Sequence, residues 1–97
     1  MFYLQKHKLN EFTYVFEGKT PLVDFYKVID IDGKIFEDVK GESDSLAGFI
    51  IEQAGKILLK GEKVVFENYS FIVESADKRK VKRIKVVIEP KNIKNEE

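Results

Sequence analysis

The sequence contains no cysteine and no tryptophan, only one histidine, one methionine and two prolines, and no net charge. Without cysteine there is no disulfide scaffold, no thiolate metal site and no thiol nucleophile. The same absence fits a cytoplasmic protein. His7 stands among lysines near the start of the chain and lacks the partners that a metal site or a catalytic triad requires. It reads as exposed and inert. Ser43, Ser45, Ser70 and Ser75 have no base placed beside them in sequence. No apolar run approaches the ~18 residues of a transmembrane helix, and residues 1–5 lack signal-peptide architecture. Gly41, Gly55 and Gly61 belong to no phosphate-loop pattern. Nothing separates the environments of Glu37, Asp38, Glu42 and Asp44 as an acid–base pair needs. An enzyme reading therefore has no residue to rest on. Seventeen basic residues cancel seventeen acidic ones, so global charge gives no case for nucleic acid or an anionic membrane.

What remains is the material of one small domain. Ninety-seven residues, 43 % hydrophobic, with eight Phe and four Tyr, suffice for a single modest core. Residues 1–9 read as a linker or loose edge strand, residues 10–90 as the domain, and residues 91–97 as a frayed tail. Phe12, Tyr14 and Phe16 alternate with Thr13, Val15 and Glu17, the period of a strand, which Gly18 ends. Thr20 and Pro21 then open a helix, Thr20 as N-cap and Pro21 at the first helical position. Leu22, Phe25, Tyr26 and Ile29 form its apolar stripe. Asp30-Ile31-Asp32-Gly33 ends it. The same four residues begin like a calcium loop, but Gly33 arrives at the fourth position where the loop needs it at the sixth. Residues 34–42 read as a loop with Ile35, Phe36 and Val39 tucked inward.

The stretch 43–61 holds the second helix. Ser45 is the favoured N-cap, Leu46, Phe49, Ile50 and Ala54 the buried face, and Gly55 the left-handed stop. Gly48 inside so short a helix is expected to mark close backbone approach to a neighbour. After Gly61, Lys63–Phe66, Tyr69–Glu74 and a segment containing Ile84, Val86 and Ile88 read as three strands joined by turns at Glu67-Asn68 and Asp77-Lys78-Arg79. Val81 is out of step with Ile84, which predicts a β-bulge around Lys82-Arg83. The predicted fold class is α+β: two helices packed on an antiparallel sheet, in the order β-α-α-β-β-β.

Charge is unevenly spread. Residues 1–48 carry six Lys against nine Asp/Glu, and residues 49–97 carry eleven Lys/Arg against eight. The concentration Lys78, Arg79, Lys80, Lys82, Arg83 and Lys85 reads first as the solvated face of a strand, next as a contact surface for a protein or a membrane, and last as a hold for nucleic acid. If a small ligand binds between helix and sheet, Lys80, Lys82 and Arg83 are the groups to hold its phosphates, with Tyr26 or Tyr69 to stack on an adenine or flavin ring. No cofactor is predicted outright; an adenine nucleotide or FAD belongs to that alternative.

Several blocks also resemble a known family. They are Phe16-Glu17-Gly18-Lys19-Thr20-Pro21-Leu22-Val23-Asp24-Phe25, Asp44-Ser45-Leu46-Ala47-Gly48-Phe49-Ile50, Gly55-Lys56-Ile57 with Lys60-Gly61-Glu62, and Lys82-Arg83-Ile84-Lys85-Val86. In this order they resemble the CorC/HlyC transporter-associated domain of hemolysin-like proteins, nearest in wording to the gliding-motility-associated, GldE-like branch. Leu58 departs from the proline usual there. The resemblance makes Gly18, Pro21, Gly48, Gly55 and Gly61 structural positions. It implies a regulatory module on the cytoplasmic side of the inner membrane. It also implies a pair of CBS domains and a membrane domain in the same full-length chain, with a role in divalent-cation (Mg/Co) efflux. The fold it implies is grouped with part of a flavin-binding superfamily, an analogy that brings no flavin site with it. The partners this suggests are the CBS pair or a second copy of the chain.

Overall fold

The structure, a computed structural model, describes residues 6–10 by their backbone and residues 12–89 in full. The whole of the expected tail, residues 91–97, lies outside the described residues, as do residues 1–5 of the expected linker. Five strands are present: β1 (Lys6–Asn10), β2 (Thr13–Glu17), β3 (Lys63–Phe66), β4 (Tyr69–Ala76) and β5 (Val81–Ile88). They form one antiparallel sheet in the order β1-β2-β5-β4-β3. Three helices, α1 (Leu22–Ile29), α2 (Lys34–Glu37) and α3 (Leu46–Ala54), lie between β2 and β3 in the chain. The α+β class and the antiparallel sheet are those the periodicity predicts. α2 is an addition to the predicted order, and β1, at the edge of the sheet, answers to the edge-strand reading of residues 1–9.

Ring contacts show why the helices cover one face of the sheet. Phe25 of α1 packs edge-on against Phe16 of β2 at 5.2 Å, and Phe49 of α3 packs against Phe66 of β3 at 5.3 Å. At the centre sits Phe36 of α2, fully buried, with ring centroids 5.1–5.6 Å from Phe25, Tyr26, Phe49, Phe66 and Tyr69. Five aromatic residues thus meet on one side chain, a geometry that favours tilted and edge-to-face pairs. The loop expected over residues 34–42 is corrected here. A one-turn helix is too short to show a 3.6-residue period, and only Phe36 of its apolar trio turns inward; Ile35 and Val39 remain 40 % and 42 % exposed. Gly33 makes this entry possible: it precedes α2 at φ 77°, and a Cβ there would overlap the ring of Tyr26.

The α1 stripe Leu22, Phe25, Tyr26 and Ile29 is buried as its spacing requires. The capping differs. Thr20 does not cap α1; its hydroxyl donates to the Glu17 carbonyl at 2.6 Å, and Pro21 takes the N-cap place with no side-chain bond. The orphan donors find backbone instead. Leu22 N–H donates to Asp44 O at 2.8 Å, and Leu46 N–H donates to Thr20 O at 2.9 Å, so the starts of α1 and α3 are tied as a miniature antiparallel bridge. At α3, Ser45 Oγ accepts from Gly48 N–H at 3.0 Å, and Gly55 closes the helix in the left-handed region at φ 74°. Gly48 does not face a neighbouring backbone as expected. The nearest atoms to a Cβ there belong to Ser45 and Ser43 of its own cap.

Candidate functional site

The close approach expected of Gly48 occurs at Gly18, directly after β2. Gly18 is buried, its N–H donates to Lys82 O at 2.8 Å, and a Cβ would overlap the Val81 carbonyl oxygen. The end of β2 is therefore pressed against the start of β5. At that same point the β4–β5 ladder is irregular: Val73 faces Ile84, Ser75 faces Arg83 and Ala76 faces Val81, which leaves Glu74 and Lys82 without opposite numbers. This is the bulge that the Val81–Ile84 spacing predicts. Its effect is specific. Val81 and Ile84 are both buried, while the two consecutive residues between them, Lys82 and Arg83, both face solvent. Strict alternation would have sent one cation into the core.

The turn between β4 and β5 is held by a carboxylate. Asp77 Oδ1 accepts from the N–H groups of Arg79 and Lys80 at 2.8 and 2.9 Å, and Asp77 N–H donates to Lys80 O at 2.9 Å. These backbone donors, Arg79 first, hold the Asp77 carboxyl below the usual carboxylate range, with Lys82 and Lys80 adding to them. Turn, bulge and β2 end together frame a cleft of about 300 Å³. Lys19, Lys80, Lys82 and Arg83 line it, along with Ser75, the Val81 backbone and one carboxylate, Glu17. Glu17 pairs with Lys19 at 3.5 Å, and Lys82 lies 3.8 Å from Asp77. Among the described residues, Lys80 and Arg83 have no carboxylate within 4.0 Å. The result is a concave, predominantly cationic site.

The structure sorts the residues singled out in the sequence. Lys80, Lys82 and Arg83 converge on the cleft; Lys78 and Arg79 stand at the exposed hairpin tip; Lys85 lies further along β5, 3.9 Å from Glu74. Tyr26 and Tyr69 do not join them, and the stacking role is corrected. Both are core residues, 6 % and 7 % exposed, with their rings against Phe36. Tyr69 pairs with Ile88 at the far end of the β4–β5 ladder, six residues from Ser75 and hence about 20 Å from the cleft. Burial raises the pKa of both hydroxyls. For Tyr26 a 2.8 Å hydrogen bond to Glu37 Oε2 and the Glu37 charge add to it; for Tyr69 the charge of Asp32 does. Asp30 is the left-handed C-cap of α1, and Asp32 Oδ1 accepts from Lys34 N–H, so both serve the turn. Among the described residues no group of three or more His, Asp or Glu could hold a metal ion. Sequence reading missed Lys19, Glu17 and Ser75 as lining residues. They reach the cleft only through the β2–β5 and β4–β5 registers, although the Phe16–Lys19 block had already set two of them apart.

The fold now places the chain among known proteins. A family model described as "Transporter associated domain", CorC_HlyC, matches residues 7–90. The chain belongs to the CorC/HlyC transporter-associated domain family. Its structure is similar to that of the transporter-associated domain of a CBS domain protein from Porphyromonas gingivalis, with 32 % identity and a TM-score of 0.81 over 89 % of this chain and 100 % of that one. The region associated with a putative Mg2+ and Co2+ transporter from Neisseria meningitidis matches at 20 % identity and TM-score 0.75, over 88 % and 99 % of the two chains. A transporter-associated domain of a Xylella fastidiosa hemolysin, solved in complex with Mg++ and Mn++, matches at 14 % identity and TM-score 0.69, over 88 % and 98 %. The last two likenesses establish the fold alone. Comparison with curated proteins returns no match. In this transporter-associated domain no helix among the described residues is long and apolar enough to cross a membrane.

Proposed function

We propose that this transporter-associated domain is a non-catalytic regulatory and interaction module of a membrane-anchored, hemolysin-like protein. It works on the cytoplasmic side of the inner membrane, in divalent-cation efflux or, in the GldE-like branch, gliding motility. Its partners are the CBS pair of its own full-length chain or a second copy of itself. The observation that carries this reading is the segregation of charge. Residues 20–55, the helical layer, hold eight Asp/Glu against three Lys, whereas residues 78–85 hold six Lys/Arg and no carboxylate. Opposed charged faces steer association and fix orientation more than they add affinity. That the similar Porphyromonas gingivalis domain comes from a CBS domain protein, and that the Neisseria meningitidis region is associated with a putative Mg2+ and Co2+ transporter, supports the context.

The test is calorimetric titration of the chain with its CBS-pair fragment and with itself, at about 50 and about 300 mM salt. Rim charges at such contacts act mainly through salt-dependent association. Binding that weakens with salt, and that is lost when Lys78 and Arg79 are changed to Glu, supports the reading. No interaction with either partner at low salt overturns it.

A further inference from the structure

We propose that the cleft between the end of β2 and the β4–β5 hairpin is a phosphate site that recognises a polyphosphate group without reading any base attached to it. The proposal goes beyond the partner reading and does not rest on it. Four features point the same way. Lys19, Lys80, Lys82 and Arg83 surround one concavity of about 300 Å³, the lower end of the range for small-ligand sites. A flat carboxylate is satisfied by one guanidinium fork, whereas ammonium groups clustered around such a fork match a compact group carrying several negative charges. The bulge is the device that turns Lys82 and Arg83 outward together, and bulges re-aim side chains at functional positions. Two of the cations, Lys80 and Arg83, have no carboxylate within 4.0 Å among the described residues, so neither is held in a close ion pair, although Lys80 acts on Asp77 and Arg83 faces Glu17 across the strands.

The indifference to the base follows from what the cleft lacks. No aromatic ring is among its lining residues, and Tyr26 and Tyr69 are locked in the core around Phe36. Among the described lining residues no aromatic ring can stack on adenine or an isoalloxazine ring, and the Arg83 guanidinium, the one planar group, is the fork for the phosphates. Ser75 supplies a hydroxyl at the wall, and Glu17 supplies the one opposing charge, partly spent on Lys19 at 3.5 Å. Phosphate chemistry of this kind comes from a soluble oligophosphate or from the headgroups of a lipid surface.

The experiment titrates the 97-residue chain with inorganic tripolyphosphate, ATP and GTP, and separately with phosphatidylcholine vesicles with and without phosphatidylinositol bisphosphate, following amide resonances by NMR. Saturable shifts at Gly18, Ser75 and Lys80–Arg83, with affinities for the three soluble phosphates within about threefold of one another, support a soluble oligophosphate. Retention on the bisphosphate-bearing vesicles alone, without response to the soluble phosphates, supports the lipid source. Both exposed cations can be removed without disturbing the core: Arg83→Gln and Lys80→Gln should each weaken binding about tenfold at unchanged melting temperature, the loss of one charge-assisted contact. Glu17→Gln should tighten it about threefold by removing the opposing charge. The proposal is overturned by an absence of saturable shifts with every phosphate source, by tenfold preference for ATP or GTP over tripolyphosphate, or by wild-type affinity in the Arg83→Gln, Lys80→Gln double variant.

Discussion

Two glycines separate what a residue type implies from what its position decides. Gly48 interrupts a helix and looks costly, yet a Cβ there meets only the Ser45 hydroxyl and the Ser43 side chain. Gly18 ends a strand and looks ordinary, yet its Cβ position is already occupied by the Val81 carbonyl oxygen, a backbone atom with no rotamer to move. Gly18→Ala should therefore destabilise the chain by about 3 kcal/mol, and Gly48→Ala should change it by less than about 1 kcal/mol, with helix propensity offsetting the crowded cap. Urea unfolding of the two variants compares them directly; equal losses would refute this assignment. Tyr26 gives a pH-dependent counterpart. Its folded pKa is raised, so its contribution is complete below the ordinary tyrosine value near ~10 and is lost as pH rises from there. Urea midpoints should fall as pH rises above about 10, and Tyr26→Phe should lower the neutral-pH stability by about 1 kcal/mol while flattening that alkaline fall.

At the scale of elements, what could be read in the sequence depended on length and period. α1, α3, β3 and β4 carry enough apolar repeats to declare themselves, and the Val81–Ile84 misfit locates the bulge from spacing alone. α2 could not be read: four residues offer a single inward side chain, and charged neighbours on both sides look like loop. The same limit hid the cleft. Its cations were visible as a run, but the contributions of Lys19, Glu17 and Ser75 depend on pairing between segments far apart in sequence. Both tyrosines were misjudged because an aromatic stripe looks the same whether it stacks on a ligand or on Phe36. α2 matters out of proportion to its length. Phe36→Ala should cost about 4 kcal/mol, at the upper range for buried aromatics, and should abolish the near-ultraviolet circular dichroism of the cluster before the far-ultraviolet helix signal is lost. Retention of both signals at a wild-type midpoint would show that α2 is dispensable.

For the molecule as a whole, layering and charge work together. The helical layer is acidic, the hairpin basic, and the two are joined by an uncharged aromatic interior, so the domain presents different chemistry to neighbours at different sides. Sheet order adds a consequence for biosynthesis. β2 at residues 13–17 pairs inwardly with β5 at residues 81–88, and β5 also pairs with β4. Until the last of these strands leaves the ribosome, β1–β2 and β3–β4 are two separate ribbons, each with an unpaired inner edge. A nascent chain stalled before Val81 thus exposes both edges at once, and the pairing of Phe16 with Ile84 has to wait until β5 is made. The sheet is closed by β5, a long-range step that sets a slow pace for so small a domain.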